Sequence, residues 1–381
     1  MRLLSCSMAS TRCLMLLAAA VALAGCRPQP GTVLFEKTTI DPAFRAEGIA
    51  VADLNGDGRA DLLAGDLWYE APSWAPRSIA PVREFDPTSE YSDAFIVFAG
   101  DLNEDGWMDE VVFGFPNTAP FWRENPGTTG VDWPQHPVFG AAASESPAFA
   151  PLNGPPVLVF QSGNARMAWF ERPASASDPF IEHLINDPAT GTTEVPAHSL
   201  GTGDIDGDGL ADVVISRGWW HAPEWTWIPA NLGPDCAQMV VFDVDGDGRN
   251  DVVSSSAHAV GVWWYQQQED GSFVQHVIDE SFSQSHALAA ADLNRDGLPD
   301  IVTGKRLWAH GLTGDVDPDG PRVLSWFELQ RGSAGVSWIG HQIDDSSGVG
   351  TQFEATDVNG DGRADIAVSN KTGVHLFLQA P

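Results

Sequence analysis

The sequence predicts an all-β fold: a seven-bladed β-propeller of four-stranded blades over residues 33–381. Three observations lead there. A nine-residue acidic motif recurs along the chain. Each recurrence is embedded in four short strand-like stretches, and the first stretch after residue 32 supplies the one that the last unit lacks. Composition agrees: 43% of the 381 residues are hydrophobic, enough for a core, while 38 Gly and 27 Pro favour short strands joined by turns.

The motif appears first as DLNGDGRAD, with Asp53, Asn55, Asp57 and Asp61 at positions 1, 3, 5 and 9. It returns as DLNEDGWMD (Asp101, Asn103, Asp105, Asp109), DIDGDGLAD (Asp204, Asp206, Asp208, Asp212) and DVDGDGRND (Asp243, Asp245, Asp247, Asp251). The last copies are DLNRDGLPD (Asp292, Asn294, Asp296, Asp300) and DVNGDGRAD (Asp357, Asn359, Asp361, Asp365). First aspartates are 48, 103, 39, 49 and 65 residues apart, so the 103-residue gap hides a seventh unit near residue 151. There Leu152, Asn153 and Gly154 persist before an apolar run, but the acids are gone.

Around each motif an apolar stretch leads in (AEGIAVAD), a β-branched run follows (DIVTG), then an aromatic strand such as Trp263-Trp264-Tyr265, then a fourth stretch such as FVQHVID. Four strands per period of about 50 residues describe a propeller blade. The third-strand Trp residues are read as packing between blades. His183, His276 and His341 share one fourth-strand position and are read as structural. The last unit stops after its third strand, GVHLFLQ, and VLFEKTTID near residue 33 matches the fourth-strand pattern. Residues 33–40 are therefore expected to complete the seventh blade, closing the ring and removing two open sheet edges.

Chemically, the motif supplies oxygens at positions 1, 3, 5 and 9 and a backbone carbonyl at 7, and Gly at 6 allows the sharp turn that gathers them. Hard, flexible oxygen sets of this kind suit Ca2+, and up to six structural ions are expected. Twenty of the 52 acidic residues lie at these positions, where without cations they would repel. The repeated D-x-[DN]-x-D-G-x-x-D loops resemble the FG-GAP/VCBS repeat family, which includes the propeller of integrin α subunits. The resemblance implies a calcium-binding seven-bladed ring. The Phe-Gly and Gly-Ala-Pro flanks of the integrin type are mostly missing, so integrin-style protein ligands are not implied.

The N-terminus carries Arg2 and Arg12 before an apolar stretch, Cys13 to Ala24, too short to span a bilayer. It ends in Leu23-Ala24-Gly25-Cys26, which resembles a bacterial lipobox. The resemblance implies a signal peptide over residues 1–25, lipidation of Cys26 and a tether over 26–32. An exported lipoprotein is expected, on the periplasmic or cell-surface side of the outer membrane and held to it by the lipid alone. Only Cys236 would remain in the mature domain, so metal loops take the place of disulfides as cross-links. The formal net charge of −32 argues against nucleic acid as a partner. A monomer is expected.

Function is expected on the face away from the acidic loops, where fourth-to-first and second-to-third strand connections meet. Glu47, His198 and His286 stand six residues before a first loop Asp, with Glu145 at the matching place in the degenerate unit. Arg217, His258, Lys305, Arg306, His310, Glu354 and Lys371 belong to the same face. Glu47, His198, Arg217, His258, Glu354 and Lys371 are candidates for binding a glycan or an envelope protein. A transition-metal site on His198 and His286 is an alternative that must span two blades.

A second class is a carbohydrate lyase or dehydratase using His286, Lys305, Arg306 and His310. Residues HALAAADLNRDGLPDIVTGKRLWAHG and VGTQFEATDVNGDGRADIAVSNKTGVHLFLQ resemble the propeller part of the aldos-2-ulose dehydratase group. Those enzymes carry an additional cupin region that is not seen in this sequence. A third class is a purely structural scaffold.

Overall fold

The computed structural model describes residues 33–163, 166–185, 198–234, 236–311 and 313–381; the expected signal segment, Cys26 and the expected tether lie outside them. Among the described residues every regular element is a strand, and the strands form seven four-stranded antiparallel sheets. Blade 7 takes its outermost strand from the start of the described chain, β1 (Phe35–Asp41). Blade 1 is β2 (Ala50–Ala52), β3 (Asp61–Ala64), β4 (Leu67–Glu70) and β5 (Ala75–Ser78). Blade 2 is β6 (Ile96–Gly100), β7 (Asp109–Phe113), β8 (Phe121–Arg123) and β9 (Gln135–Pro137). The degenerate unit forms blade 3 with β10 (Ala148–Pro151), β11 (Pro156–Ser162), β12 (Arg166–Glu171) and β13 (Ile181–Leu184).

Blade 4 is β14 (Gly201–Gly203), β15 (Asp212–Ile215), β16 (Gly218–His221) and β17 (Thr226–Pro229). Blade 5 is β18 (Val240–Phe242), β19 (Asp251–Ser255), β20 (Val260–Gln267) and β21 (Phe273–Ser283). Blade 6 is β22 (Leu288–Ala291), β23 (Asp300–Gly304), β24 (Leu324–Gly332) and β25 (Gly335–Asp344). Blade 7 adds β26 (Phe353–Thr356), β27 (Asp365–Asn370) and β28 (Gly373–Gln379).

The acidic loops connect first to second strands, and their last Asp does the structural work. Asp61, Asp109, Asp212, Asp251, Asp300 and Asp365 each open a second strand and are buried. In every copy one carboxylate oxygen accepts the amide of position 2, at 2.8–3.2 Å. The other accepts an amide late in the third strand or just past it, at 2.7–3.0 Å. A single side chain thus ties the loop to two strands and satisfies two buried donors. Sequence reading assigned position 9 to the metal alone. Gly at position 6 takes φ between +80° and +92° in all six loops, a left-handed conformation that a side chain disfavours.

The core lies between blades. Ile49 and Leu62 of blade 1 pack with Val97 and Val112 of blade 2 and with Ala367 and Leu376 of blade 7. The third-strand Trp residues also stack within their own blades, on fourth-strand His. Ring centroids are 4.6 Å apart for Trp122 and His136, 3.9 Å for Trp169 and His183, 4.4 Å for Trp264 and His276, and 4.3 Å for Trp326 and His341. Each His also meets Glu124, Glu171, Gln266 or Glu328 through Nε2 at 2.8–3.1 Å.

Ring closure follows the expected route. β1 runs antiparallel to β28 with Phe35 opposite Gln379 and Asp41 opposite Val374, and a bulge between Thr39 and Asp41 extends the strand past residue 40. Lys37 Nζ meets Asp344 Oδ2 at 2.8 Å, tying the closing strand to the segment leaving blade 6.

Candidate functional site

The rim opposite the acidic loops is where the seven inner strands begin, so residues six positions before each first loop Asp face one another around the channel mouth. In blades 3, 4 and 6 these residues are Glu145, His198 and His286. Blade 5 has the small, buried Ala237 there, and the missing group comes from His258 in the β19–β20 connection. One carboxylate oxygen and one nitrogen from each of the three rings gather with all four atoms within 4.8 Å of one another. His198 Nε2 lies 3.2 Å from Glu145 Oε2 and 2.6 Å from His258 Nε2, and His286 Nε2 lies 3.5 Å from Glu145 Oε2. The two-blade separation of His198 and His286 is therefore no barrier, because rim residues converge toward the ring axis.

His286 is fully buried, and neither of its ring nitrogens has a hydrogen-bond partner; His258 Nδ1 is also buried without one. Burial pushes His286 down to about 4, aided by the Arg306 charge, and burial with the neighbouring rings pushes His258 down to about 3. Burial works to raise Glu145, but the adjoining His198 and His286 rings outweigh it and hold the carboxyl well below the usual carboxylate range. At neutral pH the cluster is one carboxylate with neutral imidazoles at His258 and His286. The ring of His310 lies 4.4 Å from that of His258 and is exposed, and its backbone amide donates to Asp315 Oδ1 at 2.7 Å.

The other rim candidates have separate partners. Arg306 donates to Glu47 Oε1 at 2.7 Å, both buried. That guanidinium lies 5.3 Å from the Phe95 ring centroid and 6.0 Å from that of Tyr91. Lys371 Nζ sits 4.7 Å above Tyr91 and donates to the Glu90 carbonyl at 3.1 Å. Tyr91 donates to the Ala309 carbonyl at 2.6 Å and packs on Phe115, which is 48% exposed. Tyr91 and Phe115 were missed by sequence reasoning: they lie in irregular connections with no repeat register to mark them. Gly350 holds the backbone close here, since a Cβ would collide with the carbonyl oxygens of Glu47 and Ser369.

Two expectations need correction. Lys305 and Arg306 are adjacent but aim apart: Lys305 is buried and donates to Ser283, to Gln284 Oε1 at 3.1 Å and to the Val316 carbonyl at 3.4 Å. His286, Lys305, Arg306 and His310 are thus not one acid–base set, because Arg306 turns to Glu47 and Lys305 to this separate nest. Glu354 is the second residue of inner strand β26, not a rim residue; it accepts from Gln352 Nε2 at 3.2 Å, and burial pushes it up to about 7. Arg217 is exposed in the tight turn between β15 and β16, a second-to-third strand connection like the one that carries His258.

At the other end of the strands, the acidic loops present oxygen donors. Carboxylate oxygens of Asp204, Asp206 and Asp212, and of Asp243, Asp245 and Asp251, lie within 4.8 Å of one another. Position 1 carboxylates are already oriented by loop amides, as where Gly58 donates to Asp53 Oδ2 at 2.8 Å. Such oxygen-rich sets fit Ca2+, and position 9 oxygens keep a second lone pair beyond their amide bonds. In blade 4, His221 Nδ1 also approaches Asp206 Oδ2 at 3.3 Å.

Residues 243–303 match the family model of the FG-GAP-like repeat, and residues 349–377 match that of the FG-GAP repeat. No curated protein matches the chain. Among solved structures, BBS1N in complex with ARL6DN, soaked with lead, is similar at 10% identity over 92% of this chain and 97% of that one, with a TM-score of 0.51. A lectin of Agrocybe aegerita is 15% identical over 92% and 86%, with a TM-score of 0.47. The exotype rhamnogalacturonan lyase YesX is 13% identical over 90% and 72%, with a TM-score of 0.46. At such identities the likeness is one of fold. The chain is a seven-bladed β-propeller in which residues 243–303 and 349–377 match FG-GAP-type repeats.

Proposed function

We propose that this propeller is an exported, calcium-stabilised binding module that takes a glycan on its rim face. The observation that carries the reading is an aromatic surface set among polar groups: Tyr91 and the exposed Phe115, with Lys371 over Tyr91 and Arg306 behind it. Saccharides bind such surfaces because their C–H faces pack on aromatic rings while their hydroxyls meet nearby donors and acceptors. The acidic loops serve the frame. The LAGC sequence at Leu23–Cys26 supports a lipid anchor that would place the module at the cell envelope.

An array of neutral and acidic oligosaccharides tests this directly. The intact chain is expected to retain a subset, and Phe115→Ala is expected to weaken that binding at least 10-fold without changing the melting temperature. No retained glycan, or binding indifferent to Phe115→Ala, overturns the glycan reading. An envelope protein captured by cross-linking, with no glycan retained, would replace it with the protein-binding alternative.

A further inference from the structure

We propose that Glu145, His198, His258 and His286 form a binding site for one divalent transition-metal ion of the zinc class, distinct from the calcium loops. Three imidazole nitrogens and one carboxylate oxygen gather within 4.8 Å of one another, a donor set of metal-site size. Imidazole-rich sets of this kind select zinc-class ions, whereas Ca2+ takes oxygen ligands. At zinc bond lengths of about 2.0–2.1 Å, tetrahedral ligand atoms stand about 3.3 Å apart. The observed separations of 2.6, 3.2 and 3.5 Å bracket that spacing.

The second observation is the state of His286. It is fully buried, and both its ring nitrogens lack a hydrogen-bond partner, while its Nε2 is aimed into the cluster. A buried imidazole left unsatisfied is costly, and a cation at the centre relieves it. The same ion would take both nitrogens of the His198 Nε2–His258 Nε2 contact, which without it is a single N–H···N hydrogen bond set by the tautomers. Glu145 and His198 remain partly accessible and His310 stands beside His258, so the centre lies at the channel mouth within reach of a ligand from solvent.

Cobalt is the probe, because it substitutes for zinc and its visible absorption reports ligand geometry. The full chain, stripped of metal and resupplied with millimolar Ca2+, is expected to bind one Co2+ per molecule and to develop a visible band. Calcium should not bleach that band. His258→Ala, on a partly exposed loop, and His286→Gln, close to isosteric, are each expected to weaken Co2+ binding at least 10-fold. Asp204→Asn with Asp243→Asn should leave the band in place. Absence of the band, its persistence in both His variants, or its loss on mutating the acidic loops would overturn the assignment. The readout needs no glycan, so it stands or falls separately from the binding function.

Discussion

Removing calcium on a chelating resin is expected to lower the melting temperature by roughly 3–11 °C. Exported calcium modules bind with dissociation constants of about 10⁻⁴ to 10⁻³ M. At about 1 mM free calcium each occupied loop then contributes about 0.4–1.4 kcal/mol, and six loops about 2–8 kcal/mol. The source of that stabilisation is local: the loop carboxylates face one another, and position 9 ties each loop to two strands.

The drop should also depend on pH. Burial, helped by neighbouring loop carboxylates, pushes Asp61 up to about 6 and Asp109 up to about 7; burial likewise takes Asp251 to about 6 and Asp300 to about 7. The unfolded value is about 3.9. The metal-free fold therefore binds more protons than the unfolded chain between about pH 4 and 7, and it loses stability as pH rises through that window. Calcium offsets that loss, so the melting temperature should fall further on calcium removal at pH 8 than at pH 5. A melting curve indifferent to calcium at both pH values would refute the cross-linking role of the loops.

Deleting residues 33–40 is expected to be more damaging still. The deletion removes most of β1, whose backbone pairs with β28 from Phe35 to Asp41, and the Lys37–Asp344 ion pair with it. Losing about six backbone hydrogen bonds costs about 3–9 kcal/mol, comparable to the whole net stability of a domain, about 5–15 kcal/mol. It also leaves β28 as an open edge over buried Val374, Leu376 and Phe377. Urea titration should show a lost or severely weakened cooperative transition, partly restored by a peptide of residues 33–40 that can add as a strand. A deletion variant with the parent's urea midpoint would show that the ring does not need this closure.

The frame was legible in sequence because its chemistry is periodic. Six copies of the acidic loop fixed the blade count once the 103-residue gap was read as a decayed unit, and the lack of a fourth strand after GVHLFLQ pointed to the partner near residue 33. Register also marked Glu145, His198 and His286 as equivalent rim positions. It could not mark His258, which reaches the centre from a second-to-third strand connection, nor show that side chains two blades apart meet at the axis. Side-chain direction was equally hidden: Arg306 and Lys305 are neighbours in sequence but serve Glu47 and the Ser283–Gln284–Val316 nest. The double amide duty of the position 9 aspartates was invisible for the same reason, since their partners lie up to 29 residues away.

We assign different ions to the two ends of the ring, with calcium in the acidic loops and a transition metal at the rim. Anomalous diffraction from crystals grown with both Ca2+ and Co2+ tests this assignment most directly. A single cobalt peak among Glu145, His198, His258 and His286, with calcium density in the loops that begin at Asp53, Asp101, Asp204, Asp243, Asp292 and Asp357, is the predicted result. Cobalt confined to the acidic loops, with none at the rim, would contradict it.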